Sequence, residues 1–276
     1  MTGSRRAALP AYFDSLIAAY HSGHAGRHVH LGYWDDPPPL SAPVLPNEFA
    51  MAQSRLTQRM IAHVGARTGQ CILDVGCGLG GTLAALNERH VDTSLVGLNI
   101  DRRQLEICRS IAPRAGNRLS LVEADACALP FGRGVFDVVV AVEAMFHFPT
   151  RRGFLAEAAR VLRRGGVLLI TDILLHRPTG SPPWPTEAMQ AVIRRDYGPW
   201  PAVWLEAADL ASMAQECGLL VTIDEDWSQA TLPTYRIVSP DAFPERRARP
   251  DAGAVFRWLH THGFLTYRML ALRSDG

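Results

Sequence analysis

The stretch Ile72-Leu73-Asp74-Val75-Gly76-Cys77-Gly78-Leu79-Gly80-Gly81 constrains this chain more than any other. A short apolar run ends in closely spaced glycines, and Thr82-Leu83-Ala84-Ala85-Leu86 then reads as helix. Strand, tight turn and helix in that order make half of a βαβ unit. Bare backbone at the turn lets a ligand lie close to the N–H groups of a helix N-terminus. Gly76, Gly78 and Gly81 also fit the G-x-G-x-x-G dinucleotide pattern, so this stretch alone leaves the ligand open.

The chain then repeats the unit. Five strand-like runs, near residues 71–75, 94–98, 119–123, 136–142 and 167–173, alternate with helix-like segments. That order predicts right-handed βαβ units around a parallel sheet, and the near-continuous apolar character of the runs predicts cover on both faces. Two later runs, near 219–223 and 264–272, can complete the sheet. With 276 residues, 47% of them hydrophobic, the chain can bury one substantial core.

Composition removes several kinds of chemistry. All 28 basic residues are arginines, and without lysine there is no Schiff base, pyridoxal phosphate attachment or P-loop lysine. A net charge of +1 gives no global field for nucleic acid or an anionic membrane. No apolar run approaches the roughly twenty residues of a membrane span, and the polar N-terminus does not read as a signal peptide, so a cytoplasmic protein is expected. The cysteines Cys71, Cys77, Cys108, Cys127 and Cys217 are odd in number and lack a C-x-x-C pair, which favours free thiols.

The companion motifs narrow the reading. Leu95-Val96-Gly97-Leu98 ends at Asn99-Ile100-Asp101, and Leu119-Ser120-Leu121-Val122 leads into Glu123-Ala124-Asp125-Ala126. Leu129-Pro130-Phe131 precedes the Phe136–Val142 run, and Arg160-Val161-Leu162-Arg163-Arg164-Gly165-Gly166 turns into Val167-Leu168-Leu169-Ile170-Thr171-Asp172. In this order and spacing the set resembles the class I S-adenosylmethionine (SAM)-dependent methyltransferases. Within them it is similar to the small-molecule group of sugar O-methyltransferases, tocopherol and sarcosine methyltransferases and their relatives in antibiotic biosynthesis. The resemblance implies an α/β fold with a doubly wound, seven-stranded, mostly parallel Rossmann-like sheet whose last strand is antiparallel. It implies SAM as cofactor, S-adenosylhomocysteine (SAH) as product and a small-molecule acceptor. One domain is expected: an N-terminal helical lid over 1–52, a SAM-binding core over 53–175, a substrate cap over 176–206 after the fifth strand, and the rest of the sheet over 207–276. The expected assembly is a monomer or homodimer, without nucleic acid or membrane partners.

Carried onto this sequence, the family pattern places Gly76, Gly78 and Gly80 against the cofactor and Asp74 near its amino-acid portion. Asn99 stands where many relatives carry a carboxylate for the ribose hydroxyls; an amide can accept from one and donate to the other. Asp125 resembles the acceptor for the adenine amino group, with Ala126 facing the ring. His30-Leu31-Gly32-Tyr33-Trp34 resembles the segment folded over the methionine part, which brings in His30 and Tyr33, with Tyr20 as a lid residue. The spacing of His21, His24, His28 and His30 fits no structural zinc pattern, and no metal is expected. A nicotinamide dehydrogenase could use the same glycines, but Asn99 replaces its acidic ribose ligand and the chain shows no second nucleotide-binding half.

For the chemistry, methyl transfer to a hydroxyl needs alignment, exclusion of water and removal of a proton. His147 comes after the fourth strand and has a reference pKa suited to a base. It aligns with the histidine of the sugar O-methyltransferases, and Asp172 with their acidic partner. Glu143 is the second candidate base, as in isoprenyl diphosphate C-methyltransferases. Trp184, Trp200 and Trp204 in the proline-rich 176–206 stretch are costly to leave wet and predict an apolar, bulky acceptor of the polyketide, macrolide or glycosylated natural-product kind. A SAM-retaining cyclase and a non-catalytic binding module share the cofactor motifs and are the other readings.

Overall fold

The computed structural model describes residues 11–38, 43–65, 67–176, 187–201, 205–238 and 251–275. Seven strands form one sheet: β1 Cys71–Val75, β2 Ser94–Asn99, β3 Arg118–Glu123, β4 Phe136–Val142, β5 Leu162–Leu175, β6 Leu219–Asp226 and β7 Leu265–Ser274. Their spatial order is β3-β2-β1-β4-β5-β7-β6. β1 pairs in parallel with β2 and β4, β2 with β3, and β4 with β5, whereas β7 runs antiparallel between β5 and β6. This is the parallel βαβ core expected from the alternation, completed as the doubly wound, mostly parallel seven-stranded sheet that the resemblance implies. β5 begins earlier than the 167–173 run suggests, because Leu162 already pairs with Phe136 across an irregularity between Phe136 and Val138.

The helices are α1 Tyr12–His21, α2 Pro46–Ile61, α3 Gly81–Arg89, α4 Arg102–Cys108, α5 Arg151–Val161, α6 Glu187–Tyr197, α7 Ala207–Glu216, the single turns α8 Ser228–Thr231 and α9 Tyr235–Val238, and α10 Ala252–Thr261. Successive strand residues point to opposite faces, and both faces of the central strands are buried, whereas the edge strands β3 and β6 are partly exposed. Ile72, Val138, Val140 and Leu169 pack with Leu56 and Met60 of α2, Leu83 and Leu86 of α3 and Leu259 of α10. Leu73, Val139, Ala141, Leu168 and Ile170 pack on the other side with Phe154, Leu155 and Ala158 of α5 and Leu210 of α7. Each such buried aliphatic side chain is worth about 1.5–3 kcal/mol of transfer free energy. No helix among the described residues is long and apolar enough to cross a membrane.

Chain direction fixes where a ligand can go. The crossover from β3 returns to β4 on the other side of β1, so strand order reverses between β1 and β4. A crevice therefore opens beyond their carboxyl ends. Helix starts near that rim are closed locally: Asp101 caps α4 by accepting from Arg103 N–H at 2.9 Å, and Thr150 caps α5 by accepting from Gly153 N–H at 2.9 Å.

Candidate active site

Beyond β1 the glycine turn is held in left-handed conformation, with φ of 73° at Gly76, 53° at Gly78 and 86° at Gly80. The Gly76 and Cys77 N–H groups donate to the Leu98 carbonyl at 2.8 and 3.0 Å, which ties the turn to β2. A Cβ on Gly76 would lie 2.7 Å from the Ala144 Cβ, so the site demands glycine on both backbone and steric grounds. Gly80 is different: its missing Cβ makes room for Ile111 and Cys108 and it starts α3, so it shapes the turn from behind. Asp74 is buried with Oδ2 lacking any hydrogen-bond partner, and burial pushes its carboxyl up to about 7. It borders a recess of about 20 Å³ shared with His28, His30 and Thr82.

From the turn a cavity of about 320 Å³ extends past the ends of β2 and β3, with Gly76, Gly78, Asn99, Asp125 and Ala126 in its wall. The Asn99 amide donates to Gln104 Oε1 at 2.9 Å and its oxygen accepts from Asp101 N–H at 3.0 Å. Gln104 Nε2, buried in the same wall, has no partner. Asp125 accepts from Cys127 N–H at 2.8 Å, closing the loop in which Ala126 sits.

A second cavity of about 280 Å³ adjoins the first and is largely aromatic, with Phe49, Phe146, Tyr197, Trp200, Tyr235 and Phe256 in its wall. Trp200 is buried, stacks on Phe146 with ring centroids 4.0 Å apart and lies 5.5 Å from the His147 ring. Trp184 and Trp204 lie outside the described residues.

Five residues line both cavities: Tyr12, Leu16, Val29, Glu143 and His147. Glu143 succeeds β4 with φ 46°, rare for a side chain with a Cβ, and its N–H donates to Thr171 Oγ1 at 3.0 Å. Its Oε1 accepts from Leu31 N–H and from the Tyr267 hydroxyl, each at 2.7 Å, and burial pushes its carboxyl up to about 7. His147 Nε2 is 2.9 Å from the Tyr12 hydroxyl, and burial lowers its ring to about 4. The Pro199 backbone near the ring offsets part of that lowering, yet Nδ1 has no partner in hydrogen-bond geometry.

The expected His147–Asp172 pair is not formed. Asp172, fully buried, accepts from Arg151 Nε at 2.9 Å and NH2 at 3.3 Å and from Ile173 N–H at 2.8 Å. Burial holds its carboxyl above the ordinary range in spite of the Arg151 charge. Arg151, in the first turn of α5, reaches β5 and occupies the carboxylate expected to orient the imidazole.

The N-terminal candidates also separate. His30 reaches the site: its Nε2 is 3.0 Å from Thr57 Oγ1 and 3.1 Å from His28 Nδ1, and its ring borders the Asp74 recess and the second cavity. Tyr33 instead packs 5.2 Å from Trp227 and 4.2 Å beneath the Arg59 guanidinium, and Tyr20 lies 5.4 Å beneath that of Arg27. Neither lines any of the three spaces. Sequence reasoning misses Gln104, Tyr12, Val29 and Arg151. Only Gln104 carries a signal, five positions after Asn99 in the first turn of a helix beside the glycine turn.

This arrangement agrees with what the chain is similar to. A methyltransferase domain family matches residues 73–170, from within β1 to within β5. The methyltransferase GfsG of Streptomyces halstedii is 38% identical over 54% of this chain and 52% of its own length, so the chain spans about half of that relative. The 27-O-demethylrifamycin SV methyltransferase of Amycolatopsis mediterranei is 34% identical over 76% of this chain and 73% of its own. Among solved structures, a geranyl diphosphate methyltransferase in complex with SAM matches with a TM-score of 0.72 at 18% identity, covering 90% of this chain and 98% of the other. The [4+2]-cyclase SpnF matches with a TM-score of 0.68 at 20% identity, covering 95% and 92%. Fold, glycine turn and relatives together define the family. The chain belongs to the class I SAM-dependent small-molecule methyltransferases, and SAM is the cofactor that membership carries.

Proposed function

We propose that this chain methylates a hydroxyl of a bulky, largely apolar natural product, with His147 as general base. The observation that carries the reading is the junction itself. A cofactor-sized cavity and an aromatic cavity meet at Tyr12, Glu143 and His147, so a group can pass between two ligands without crossing solvent.

The first cavity fits SAM on its own chemistry. Gln104 Nε2 in its wall is a buried donor without an acceptor, suited with Asn99 to a ribose diol, and in the small recess that shares Gly76 and Gly78 with it Asp74 Oδ2 is a buried acceptor without a donor, suited to an ammonium. Gly76 and Gly78 leave the wall open to close approach, and Asp125 and Ala126 would receive the adenine. When bound, SAM supplies a methyl group already activated on a sulfonium.

The protein's own residues then align, dry and deprotonate. Phe146, Trp200 and Phe256 exclude water from the second cavity. His147, with its ring lowered to about 4, is neutral at neutral pH and keeps a lone pair for a hydroxyl proton. The Tyr12 hydroxyl now against Nε2 marks a position an acceptor hydroxyl could take. A weakly basic imidazole suffices if the proton moves as the methyl does.

Glu143 as base for C-methylation is the second reading, favoured by a carboxyl near 7. Against a diphosphate acceptor, no arginine lines the aromatic cavity among the described residues. Incubating the protein with SAM and polyketide or macrolide hydroxyl acceptors, with mass detection, tests the reading. A gain of one methyl on oxygen supports it; a methyl on carbon favours Glu143, and an altered acceptor with SAM unconsumed favours a cyclase.

A further inference from the structure

Methyl transfer changes the charge of the cofactor: SAM carries a sulfonium, and SAH a neutral thioether. Whatever faces that sulfur must lie where the two cavities meet. Of the five residues there, Glu143 is the only acid. Both of its hydrogen-bond partners, the Leu31 N–H and the Tyr267 hydroxyl, are uncharged, and no ion pair neutralises it among the described residues. Phenols face it from four elements, Tyr12 of α1, Tyr197 of α6, Tyr235 of α9 and Tyr267 of β7, and Asp172 of β5 adds a like charge. Arg151, whose charge is felt at His147, is ion-paired with Asp172. A buried carboxylate with neutral partners lacks a cation.

We infer that Glu143 is the counter-charge of the sulfonium, and that it makes this site hold the methyl donor in preference to the demethylated product. The inference rests on the SAM reading above and adds a selectivity to it. It also explains why an acid is placed in the left-handed conformation at φ 46°: the turn carries the carboxyl to the junction and away from its own strand.

The consequence is proton linkage specific to the charged ligand. In the free protein burial pushes the carboxyl up to about 7, and neutral SAH brings no charge to lower it; beside a sulfonium the ionised form would be favoured. Asp74 also titrates near 7, but the amino-acid portion it would meet is common to both ligands, so its effect cancels in their ratio.

The test is calorimetry on the whole chain with SAM and with SAH between pH 6 and pH 8, in buffers of differing ionisation enthalpy. A group with a pKa near 7 gains about tenfold in ionised fraction over that range, so the SAM-to-SAH affinity ratio should rise roughly tenfold, with additional proton release on SAM binding. Glu143→Gln keeps an oxygen for Leu31 and Tyr267 and should remove that rise. A ratio independent of pH in the parent, or the same rise in Glu143→Gln, overturns the inference alone. Binding of neither ligand overturns the cofactor reading and this inference with it.

Discussion

Replacing Asp172 by asparagine separates a structural role from a catalytic one. The parent carboxylate is fully buried and takes two hydrogen bonds from Arg151, whose side chain is 3% exposed. Asparagine keeps the shape and leaves the guanidinium without a counter-charge. Breaking a buried pair from one side costs about 3–5 kcal/mol. For a chain of this size, with an unfolding entropy of about 0.6 kcal/mol/K, that is a Tm lower by about 5–9 °C. Removing both charges, as in Arg151→Met with Asp172→Leu, should recover most of the loss, because the desolvation of two ions disappears with their attraction. Urea unfolding monitored by circular dichroism, beside SAM binding and turnover, makes the measurement. If Asp172→Asn stays within about 1 kcal/mol of the parent while turnover collapses, the pair is not structural and the carboxylate serves the chemistry after all.

Gly76→Ala forces a side chain into a backbone at φ 73° and a Cβ to 2.7 Å from Ala144, so calorimetry should find SAM binding largely lost; unchanged affinity would remove the glycine turn from the cofactor site. His147→Ala should lower turnover by about 10²–10⁴-fold with SAM affinity kept, and near-parental rates would move the base to Glu143. The His260 ring is held at about 4 in the fold against about 6.5 when unfolded, so the unfolded chain binds the extra proton between those pH values and stability falls as pH drops through them. His260→Leu should therefore lessen the acid slope of unfolding free energy by up to one proton, about 1.4 kcal/mol per pH unit; an unchanged slope would mean that His260 already carries its proton in the fold. Adding acceptor to the SAH complex should change tryptophan fluorescence, and Trp200→Phe should abolish that change if the aromatic cavity receives the acceptor.

The fold is legible because its signals are local and redundant. A left-handed turn at Gly76, Gly78 and Gly80 strongly favours glycine, and strands covered on both faces cannot avoid apolar runs such as Val138–Ala141. The site is legible only where a motif carries it. Asp172 reads the same in sequence whether it meets an imidazole or a guanidinium. Its partner stands 21 positions earlier in a first helical turn, where arginine reads as a solvated charge. Tyr33 sits in the right segment, but its ring packs toward Trp227 and Arg59. Tyr12 and Val29 carry no pattern, since only the tertiary path of the N-terminal segment brings them to Glu143 and His147.

That path has a kinetic consequence. α1 contains no buried residue, yet Tyr12 and Leu16 line both cavities, and the helix is held to the body by Tyr12 on His147 and by Asp14 on Arg103 at 2.6 Å. If α1 acts as one lid over both spaces, it opens for both or for neither. Spent cofactor and finished product would then leave through the same door, at a rate set by the undocking of a ten-residue helix and not by the identity of the acceptor. Acceptors of very different intrinsic reactivity would in that case share one ceiling on turnover.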